Sequence, residues 1–238
     1  MSVDLLAVMA HPDDAELLCG GTLAVSTDLG RRVGIVDLTR GELGSRGTAE
    51  IRAAEAVRAA EILGAVSRET LGLPDGHLAN TDAMRRVVVE AIRRRRPQVI
   101  VTHYVVGRHP DHRVTSELVR DAAFLSGLKN YPADGAPFRP SKVIFTLSYR
   151  EDHVKPTFIV DTTAGFERKL KAMAAFASQW DDDTKGGGEA YPTGEHLFDL
   201  VRTQDAHAGS RIRAAFGEPF WTPETMAVKD VVGLGVES

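Results

Sequence analysis

The sequence has little of several features that mark particular classes of protein. Of its 238 residues only Cys19 is a cysteine, so no disulfide can form within the chain, which fits a reducing compartment. No apolar run approaches the roughly 20 residues that span a bilayer, and Met1–Asp4 lacks the basic residues of a secretory signal. The formal net charge is -4, whereas nucleic-acid-binding domains are usually basic. We therefore expect a cytoplasmic protein that binds neither membranes nor nucleic acids.

The sequence does contain a regular alternation of short apolar runs and longer amphipathic segments. The apolar runs are nearly continuous in Val, Ile and Leu, as in parallel strands that are buried on both faces. Predicted strands cover Leu5–Ala10, Val33–Thr39, Val99–His103 and Val143–Ser148, and predicted helices cover Ala15–Leu29, Thr48–Leu63, Asp82–Arg96 and Arg113–Ser126. Repeated strand–helix units predict an α/β fold with a doubly wound, mostly parallel sheet and helices on both faces.

The second half of the chain has a less regular pattern. It predicts a strand over Phe158–Asp161, helices over Glu167–Trp180 and Glu195–Ala215, and a closing strand over Met226–Leu234. The segment Asp181–Gly194 is long, acidic and rich in glycine. It is either a surface connection or a lid from which Tyr191 reaches into the site. No repeat or linker divides the chain, so we expect residues 1–238 to form a single domain.

Polar side chains cluster where two of the predicted strands end. They are His11, Asp13 and Asp14 after the first strand, and His109 and His112 after the strand Val99–His103. Open α/β sheets bind their ligands at the carboxyl ends of strands. Catalytic zinc usually has three protein ligands and one open position for water. The two segments together therefore predict a hydrolytic metal site.

The spacing within the first segment separates the expected roles. His11 and Asp14 are separated by two residues at a strand end that turns into a helix, so both side chains are able to face one point. His112 would complete the set, and Asp13, which lies between the first two, is left to accept a proton. Alternatively, Asp13 or Asp14 caps the following helix. Zn²⁺ is the expected metal, and Fe²⁺ also suits two histidines and one carboxylate.

The segments Ala10–Glu16 (AHPDDAE) and His109–His112 (HPDH) resemble the two signature motifs of the PIG-L/LmbE-like zinc-dependent de-N-acetylases. The resemblance covers nearly the whole chain. It implies a Rossmann-like fold, a homo-oligomer such as a hexamer, and removal of the acetyl group from an N-acetylglucosamine derivative, a small amino-sugar substrate. Thr39–Thr48 and Met226–Asp230 are similar to the bacillithiol biosynthesis branch, which implies N-acetylglucosaminyl-malate as the substrate. A chitooligosaccharide or a mycothiol-like conjugate is the alternative.

The resemblance also implies roles for individual residues. The metal ligands of the family correspond to the three candidate ligands named above. Its general base corresponds to Asp13, and the histidine that stabilises the tetrahedral intermediate corresponds to His109. Asp111 is placed in sequence to orient or charge His109. Whether His109 or Asp13 protonates the leaving amine stays open at this point.

Substrate contacts are expected from arginines, because a guanidinium binds a carboxylate or phosphate through two hydrogen bonds. Arg52 matches an arginine that contacts substrate in the family, and Tyr191 is similar to a tyrosine of its mobile loop. Further candidates are Arg40, Arg46, Arg108 and Glu42, the last of which either contacts sugar hydroxyls or pairs with Arg46. A nucleotide-binding module would carry Gly-x-Gly-x-x-Gly after the first strand, and this chain has His-Pro-Asp-Asp-Ala-Glu there.

Overall fold

The structure, a computed structural model, describes residues 2–149, 154–180, 194–230 and 235. In this part of the chain seven strands form one sheet, and helices cover both of its faces. The strands are β1 (Leu5–Met9), β2 (Val33–Asp37), β3 (Ser67–Thr70), β4 (Val99–Thr102), β5 (Lys142–Thr146), β6 (Phe158–Asp161) and β7 (Gly217–Trp221). The helices are α1 (Asp14–Asp28), α2 (Ala49–Leu63), α3 (Asp82–Arg95), α4 (Pro110–Leu125), α5 (Phe166–Ala174), α6 (Ala177–Trp180) and α7 (Gly194–Ser210).

The strand order across the sheet is β3-β2-β1-β4-β5-β7-β6. The first five strands are parallel, and β7 runs antiparallel to both of its neighbours. The chain winds outward from β1 to β3, then returns to place β4 on the other side of β1, so the winding reverses between β1 and β4. Such a reversal opens a crevice at the carboxyl ends of the two strands. The predicted doubly wound α/β fold is confirmed.

The core lies in two layers on either side of the sheet. One layer packs α1, α2 and α5 against the strands through residues such as Leu23 and Phe176. The other packs α3 and α4 through residues such as Ile92 and Leu118. Both faces of β1 are therefore covered, which explains its unbroken apolar sequence. None of the described helices combines the length and the apolar character needed to cross a bilayer.

Two of the seven strands were not predicted, and one predicted strand is wrong in its described part. Met226–Asp230 is not a strand, and residues 231–234 lie outside the described residues. The strand nearest to that prediction is β7, whose sequence GEPFW contains glycine and proline and so argues against a strand. Neighbouring segments nevertheless pair with it, since Leu147 N donates to Pro219 O at 2.9 Å. The other unpredicted strand, β3, is short and polar.

Three predicted helices differ from the observed helices in where they begin or end. The predicted helix Glu167–Trp180 is divided into α5 and α6, and the predicted helix Glu195–Ala215 already ends at Ser210. The predicted helix Arg113–Ser126 begins earlier, at Pro110, because proline is accepted in a first turn. The segment Asp181–Gly194, including Tyr191, lies outside the described residues except for Gly194 at the start of α7.

Candidate metal centre and active site

The two polar segments predicted from the sequence lie side by side at the β1–β4 crevice. The carboxylate of Asp14, the first residue of α1, is at the centre. Its Oδ2 lies 3.2 Å from His11 Nδ1 and 3.3 Å from His103 Nε2, and its Oδ1 lies 3.2 Å from His112 Nε2. Oδ2 also accepts the backbone N–H of His11 at 2.8 Å. One buried carboxylate thus faces imidazole nitrogens from two strand ends.

The donor atoms gathered here suit a divalent metal. Ring nitrogens of His11, His109 and His112 lie within 4.8 Å of one another, and Asp14 adds a carboxylate oxygen. Nitrogen and oxygen donors of this kind bind Zn²⁺ and Fe²⁺. His103 differs, because its Nε2 accepts the N–H of Ala10 at 3.0 Å and so has no lone pair to offer. Burial, followed by the charge on His112, lowers the pKa of His103 to about 4.

The outer nitrogen of His11 is held by two carboxylates. Nε2 lies 3.1 Å from Asp75 Oδ1 and 3.3 Å from Asp111 Oδ2. Burial lowers the pKa of His11, but the hydrogen bonds to Asp111, Asp14 and Asp75 outweigh it and raise that pKa to about 12. A histidine that gives its outer N–H to a carboxylate and turns its other nitrogen inward is the common arrangement of a metal ligand.

Asp75 was not singled out from the sequence. It lies in the turn after β3, a strand that the sequence did not predict, and it also accepts the N–H of Leu43 at 2.9 Å. These hydrogen bonds oppose burial and lower the pKa of Asp75 to about 2. The available signal was the turn Pro74-Asp75-Gly76, because it follows a parallel strand at the edge that carries the site.

Asp111 contacts a different partner from the one expected. Its carboxylate lies against His11 and accepts the N–H of Gly76 at 2.8 Å. His109 is contacted by the backbone of Asp111, whose N–H donates to His109 Nδ1 at 3.2 Å. Burial and the charges on His112 and His11 lower the pKa of His109. Because Nδ1 accepts a hydrogen bond, neutral His109 carries its proton on Nε2.

Asp13 combines backbone strain with a buried carboxyl. Its φ of 105° is left-handed, a conformation that costs free energy and that persists mainly at functional sites. Arg52 braces the turn, donating to Asp13 Oδ2 at 2.9 Å, Pro12 O at 2.7 Å and Gly41 O at 3.0 Å. Burial raises the pKa of Asp13 to about 7, against the charge of Arg52 and with that of Asp14. The carboxyl is therefore able to exchange a proton near neutral pH.

A cavity of about 360 Å³ opens beside these groups. Its lining comprises His11, Asp13, Leu43, Gly44, Arg52, Asp75, Gly76, His109 and Pro110. Of the candidates for substrate contacts that the structure describes, only Arg52 belongs to this lining, and its guanidinium is engaged with Asp13 and two carbonyls.

The other described candidates for substrate contacts do not line the cavity. Arg46 donates to Gln179 O at 3.2 Å. Glu42 accepts the backbone N–H groups of Arg40 and Asp75 at 3.2 and 3.0 Å, so it braces the loop before α2. Arg40 and Arg108 are exposed, and Tyr191 lies outside the described residues.

The structure is an α/β fold with a cluster of histidines and aspartates that could hold a metal ion. Comparison with known proteins identifies the family to which such a chain belongs. The PIG-L family model, described as GlcNAc-PI de-N-acetylase, matches residues 6–123. Diacetylchitobiose deacetylase of Thermococcus kodakarensis is 31% identical over 191 residues, which cover 75% of this chain and 71% of that protein. The 1D-myo-inositol 2-acetamido-2-deoxy-alpha-D-glucopyranoside deacetylase of Rhodococcus erythropolis is 29% identical over 210 residues, covering 74% and 67%.

The fold has a similarly extensive match among solved structures. A conserved protein from Thermus thermophilus superimposes with a TM-score of 0.85 at 36% identity, over 95% of this chain and 98% of that one. The chain therefore belongs to the PIG-L/LmbE family of deacetylases. It is an enzyme of the class that hydrolyses amide bonds.

Proposed function

We propose that this protein hydrolyses the N-acetyl group of an N-acetylglucosamine conjugate, releasing acetate and the free amine with the help of a bound divalent metal. One observation carries the proposal. The carboxylate of Asp14 contacts His11 and His112 beside a cavity that Asp13 and His109 line. This is a two-histidine, one-carboxylate set next to a group that accepts a proton and a group that donates one.

His11, Asp14 and His112 would hold the metal, with Zn²⁺ as the first candidate and Fe²⁺ as the second. When bound there, such an ion supplies Lewis-acid polarisation of the acetyl carbonyl and of the attacking water. Asp75 and Asp111 hold the outer nitrogen of His11 and so fix the direction of its ring. Their role is orientation, as is usual for carboxylates behind a histidine ligand.

Asp13 is proposed as the general base. Its carboxylate takes a proton from the attacking water, for which a pKa raised towards neutrality is favourable. Arg52 holds Oδ2 in place and keeps the strained turn closed. His109 donates from Nε2 to the oxygen that gains negative charge as the carbonyl carbon becomes tetrahedral. The C–N bond then breaks, and the amine leaves with a proton that either Asp13 or His109 supplies.

The substrate is proposed at two levels. An N-acetylglucosamine conjugate is supported by the family and by relatives whose names specify diacetylchitobiose and an inositol glycoside. N-acetylglucosaminyl-malate is our specific candidate, supported by the sequence of Thr39–Thr48. Arg40, exposed at the start of this loop, is one candidate to contact an anionic aglycone. Diacetylchitobiose and the inositol glycoside are the alternatives.

A substrate panel tests both levels. Acetate release is measured on the malate conjugate, diacetylchitobiose, the inositol glycoside and free N-acetylglucosamine, with and without a chelator. We expect the malate conjugate to react fastest, the chelator to abolish the reaction, and Zn²⁺ or Fe²⁺ to restore it. Equal rates on the malate conjugate and free N-acetylglucosamine would contradict the specific substrate. Turnover that survives in metal-free protein, or no turnover on any of the four, would contradict the proposed function.

We also propose that the chain forms a single domain, is cytoplasmic and assembles as a homo-oligomer. A single domain over residues 1–238 is supported by the one sheet that joins β1 to β7. A cytoplasmic location is supported by the lone, buried Cys19. A homo-oligomer, such as a hexamer, rests on the family resemblance and is tested by light scattering coupled to size-exclusion chromatography.

A further inference from the structure

Helix α1, which begins with Asp14, consists of two helical segments joined at Cys19. The backbone angles of Cys19 are φ −148° and ψ 17°, outside the helical range. In a regular helix each N–H donates to the carbonyl four residues earlier. Just after this break, the N–H groups of Gly21 and Thr22 donate to Glu218, at 2.9 Å to Oε1 and 2.7 Å to Oε2. Glu218 therefore caps the second segment of α1, although it lies 196 residues beyond Thr22 in the sequence.

Glu218 is itself held firmly. It is on β7 and fully buried, and its Oε1 accepts a hydrogen bond from Lys169 Nζ, on α5, at 2.8 Å. The same ammonium donates to Asp205 Oδ2, on α7, at 2.6 Å. A buried carboxylate is stable only when its charge and its lone pairs are matched. Glu218 meets both conditions with one ammonium and two backbone N–H groups, so its position is well determined.

Glu218, Lys169 and Asp205 form a buried charge cluster. Helix α1 packs tightly against this cluster. A Cβ placed on Gly21 would lie 2.8 Å from Thr162 Cβ and 3.1 Å from Glu218 Oε1. A Cβ placed on Gly20 would lie 3.1 Å from Lys169 Cγ. The backbone of α1 is thus in direct contact with the cluster, and the cluster sets where the second segment begins.

The first segment of α1 points at the candidate metal centre. Its direction depends on the bend at Cys19, because a straight helix would carry Asp14 to a different position relative to His112. The Asp14–His112 contact is 3.2 Å long, and metal ligands tolerate displacements of only a few tenths of an ångström. The bend is therefore part of what places this carboxylate.

We propose that Glu218 is a positioning residue for the metal centre: by capping the second segment of α1, it sets the direction in which the first segment presents Asp14. The inference rests on the proposed function in one respect, since it takes Asp14 as a metal ligand. Glu218 itself touches neither the metal position nor the cavity.

Glu218→Gln and Asp205→Asn form a matched pair that tests this proposal. Each variant neutralises one of the two carboxylates that contact Lys169, but only Glu218 touches α1. The glutamine amide presents one acceptor and one donor to two backbone N–H groups, so the cap is broken. Zn²⁺ affinity is measured by titration calorimetry on the metal-depleted full chain. Glu218→Gln should weaken it on the order of tenfold, as loss of an orienting residue does, and Asp205→Asn should leave it unchanged.

Two further measurements separate positioning from general destabilisation. Hydrogen exchange at the amides of Gly21 and Thr22 should accelerate in Glu218→Gln and stay protected in Asp205→Asn. If Glu218→Gln does not fold, Glu218→Asp takes its place, because it keeps the charge and shortens the reach. The Zn²⁺ affinity of Glu218→Asp should fall between that of the unaltered protein and the tenfold weaker value expected for Glu218→Gln.

The outcomes also distinguish this inference from the proposed function. Zn²⁺ binding by the unaltered protein that is unchanged in the Glu218 variant, or weakened equally in both variants, would overturn the positioning role alone. No Zn²⁺ or Fe²⁺ binding by the unaltered protein would overturn the proposed function together with the inference.

Discussion

Two clusters of buried charge lie along α1, and they are built differently. At the middle of the helix, Lys169 sits between Asp205 and Glu218 at 2.6 and 2.8 Å, with all three side chains buried. Those distances are typical of strong, charge-assisted hydrogen bonds. At the start of the helix, the Asp14 carboxylate faces the imidazole nitrogens of His11 and His112 at 3.2 Å, beside an open cavity. We call Lys169, Asp205 and Glu218 the inner cluster, and Asp14 with the surrounding His11, His112, Asp13 and Asp75 the outer cluster. The inner cluster has the geometry of ion pairs, and the outer cluster has the geometry of ligand donors.

The backbone conformation also differs between the two clusters. At the inner cluster, Gly20 and Gly21 let α1 approach its neighbours closely, and neither residue adopts a left-handed conformation. At the outer cluster, Asp13 adopts φ 105° although it is not a glycine. Strain of this kind persists only where the surroundings impose it, and Arg52 supplies that constraint. The buried charge of the inner cluster is thus matched by direct ion pairs, whereas that of the outer cluster is held in place by residues behind it.

The largest expected effect is at the outer cluster. Asp13→Asn should lower kcat for deacetylation by about 10²–10⁴-fold, because it removes the proton acceptor. Asparagine tolerates the left-handed conformation, so the fold and the metal should be retained. The rate of acetate release and the melting temperature are measured together. A loss below tenfold with the fold intact would show that Asp13 is not the base.

The next largest effect is at the inner cluster. Lys169→Met should lower the free energy of unfolding by about 3–5 kcal/mol, since it leaves two buried carboxylates without a counter-charge. Lys171→Met, on the exposed side of the same helix, is the control and should stay within about 0.5 kcal/mol. Both are measured by urea unfolding. Similar values for the two variants would contradict the assignment of the inner cluster as a structural one.

The two clusters should respond to pH in opposite directions. Burial raises the pKa of Asp205 from 3.8 to about 6, so its stabilisation is complete below pH 3.8 and is lost as the pH rises to 6. Hydrogen bonds lower the pKa of Asp75 from 3.8 to about 2, against the effect of burial, so its stabilisation is present above pH 3.8 and is lost as the pH falls to 2.

Unfolding of the metal-free protein between pH 2 and 7 measures both responses. Relative to the unaltered protein, Asp205→Asn should gain up to roughly 3 kcal/mol as the pH rises from 4 to 6. Asp75→Asn should gain relative stability as the pH falls from 4 to 2. If stability depends on pH in the same way in the two variants and in the unaltered protein, the claim that the two clusters respond to pH in opposite directions is wrong.

The smallest expected effect is at a helix start outside both clusters. The side chain of Thr48 accepts the N–H of Ile51 at 3.3 Å and caps α2. Thr48→Ala should therefore cost about 1 kcal/mol of stability and leave the deacetylation rate unchanged. Thr81→Ala, which removes the matching cap of α3, should cost a similar amount. A large loss of activity in Thr48→Ala would show that the loop before α2 contributes to the reaction, and it would contradict a purely structural role for Thr48.

Local patterns in the sequence predicted four of the five parallel strands, β1, β2, β4 and β5, and they placed His11, Asp14 and His112 at one edge of the sheet. β1 and β4 are apolar runs that end in His and Asp, and parallel strands bring such ends together. Asp75 and Glu218 escaped prediction because β3 is polar and β7 contains glycine and proline, so neither strand has the apolar sequence of the strands that were predicted. The contact of Glu218 with α1 joins residues 196 positions apart, which no local pattern reveals. The sequence also did not indicate that the carboxylate of Asp111 contacts His11, because the N–H of Gly76 that holds this carboxylate follows the unpredicted strand β3.

Metal content is the most direct test of the central claim that α1 and β4 together present a catalytic metal site. It is measured by elemental analysis on the unaltered protein, Asp13→Ala and His11→Ala, each purified in parallel. We expect stoichiometric Zn²⁺ or Fe²⁺ in the unaltered protein, the same content in Asp13→Ala without turnover, and loss of metal in His11→Ala. Equal loss in both variants, or no metal in the unaltered protein, would contradict it.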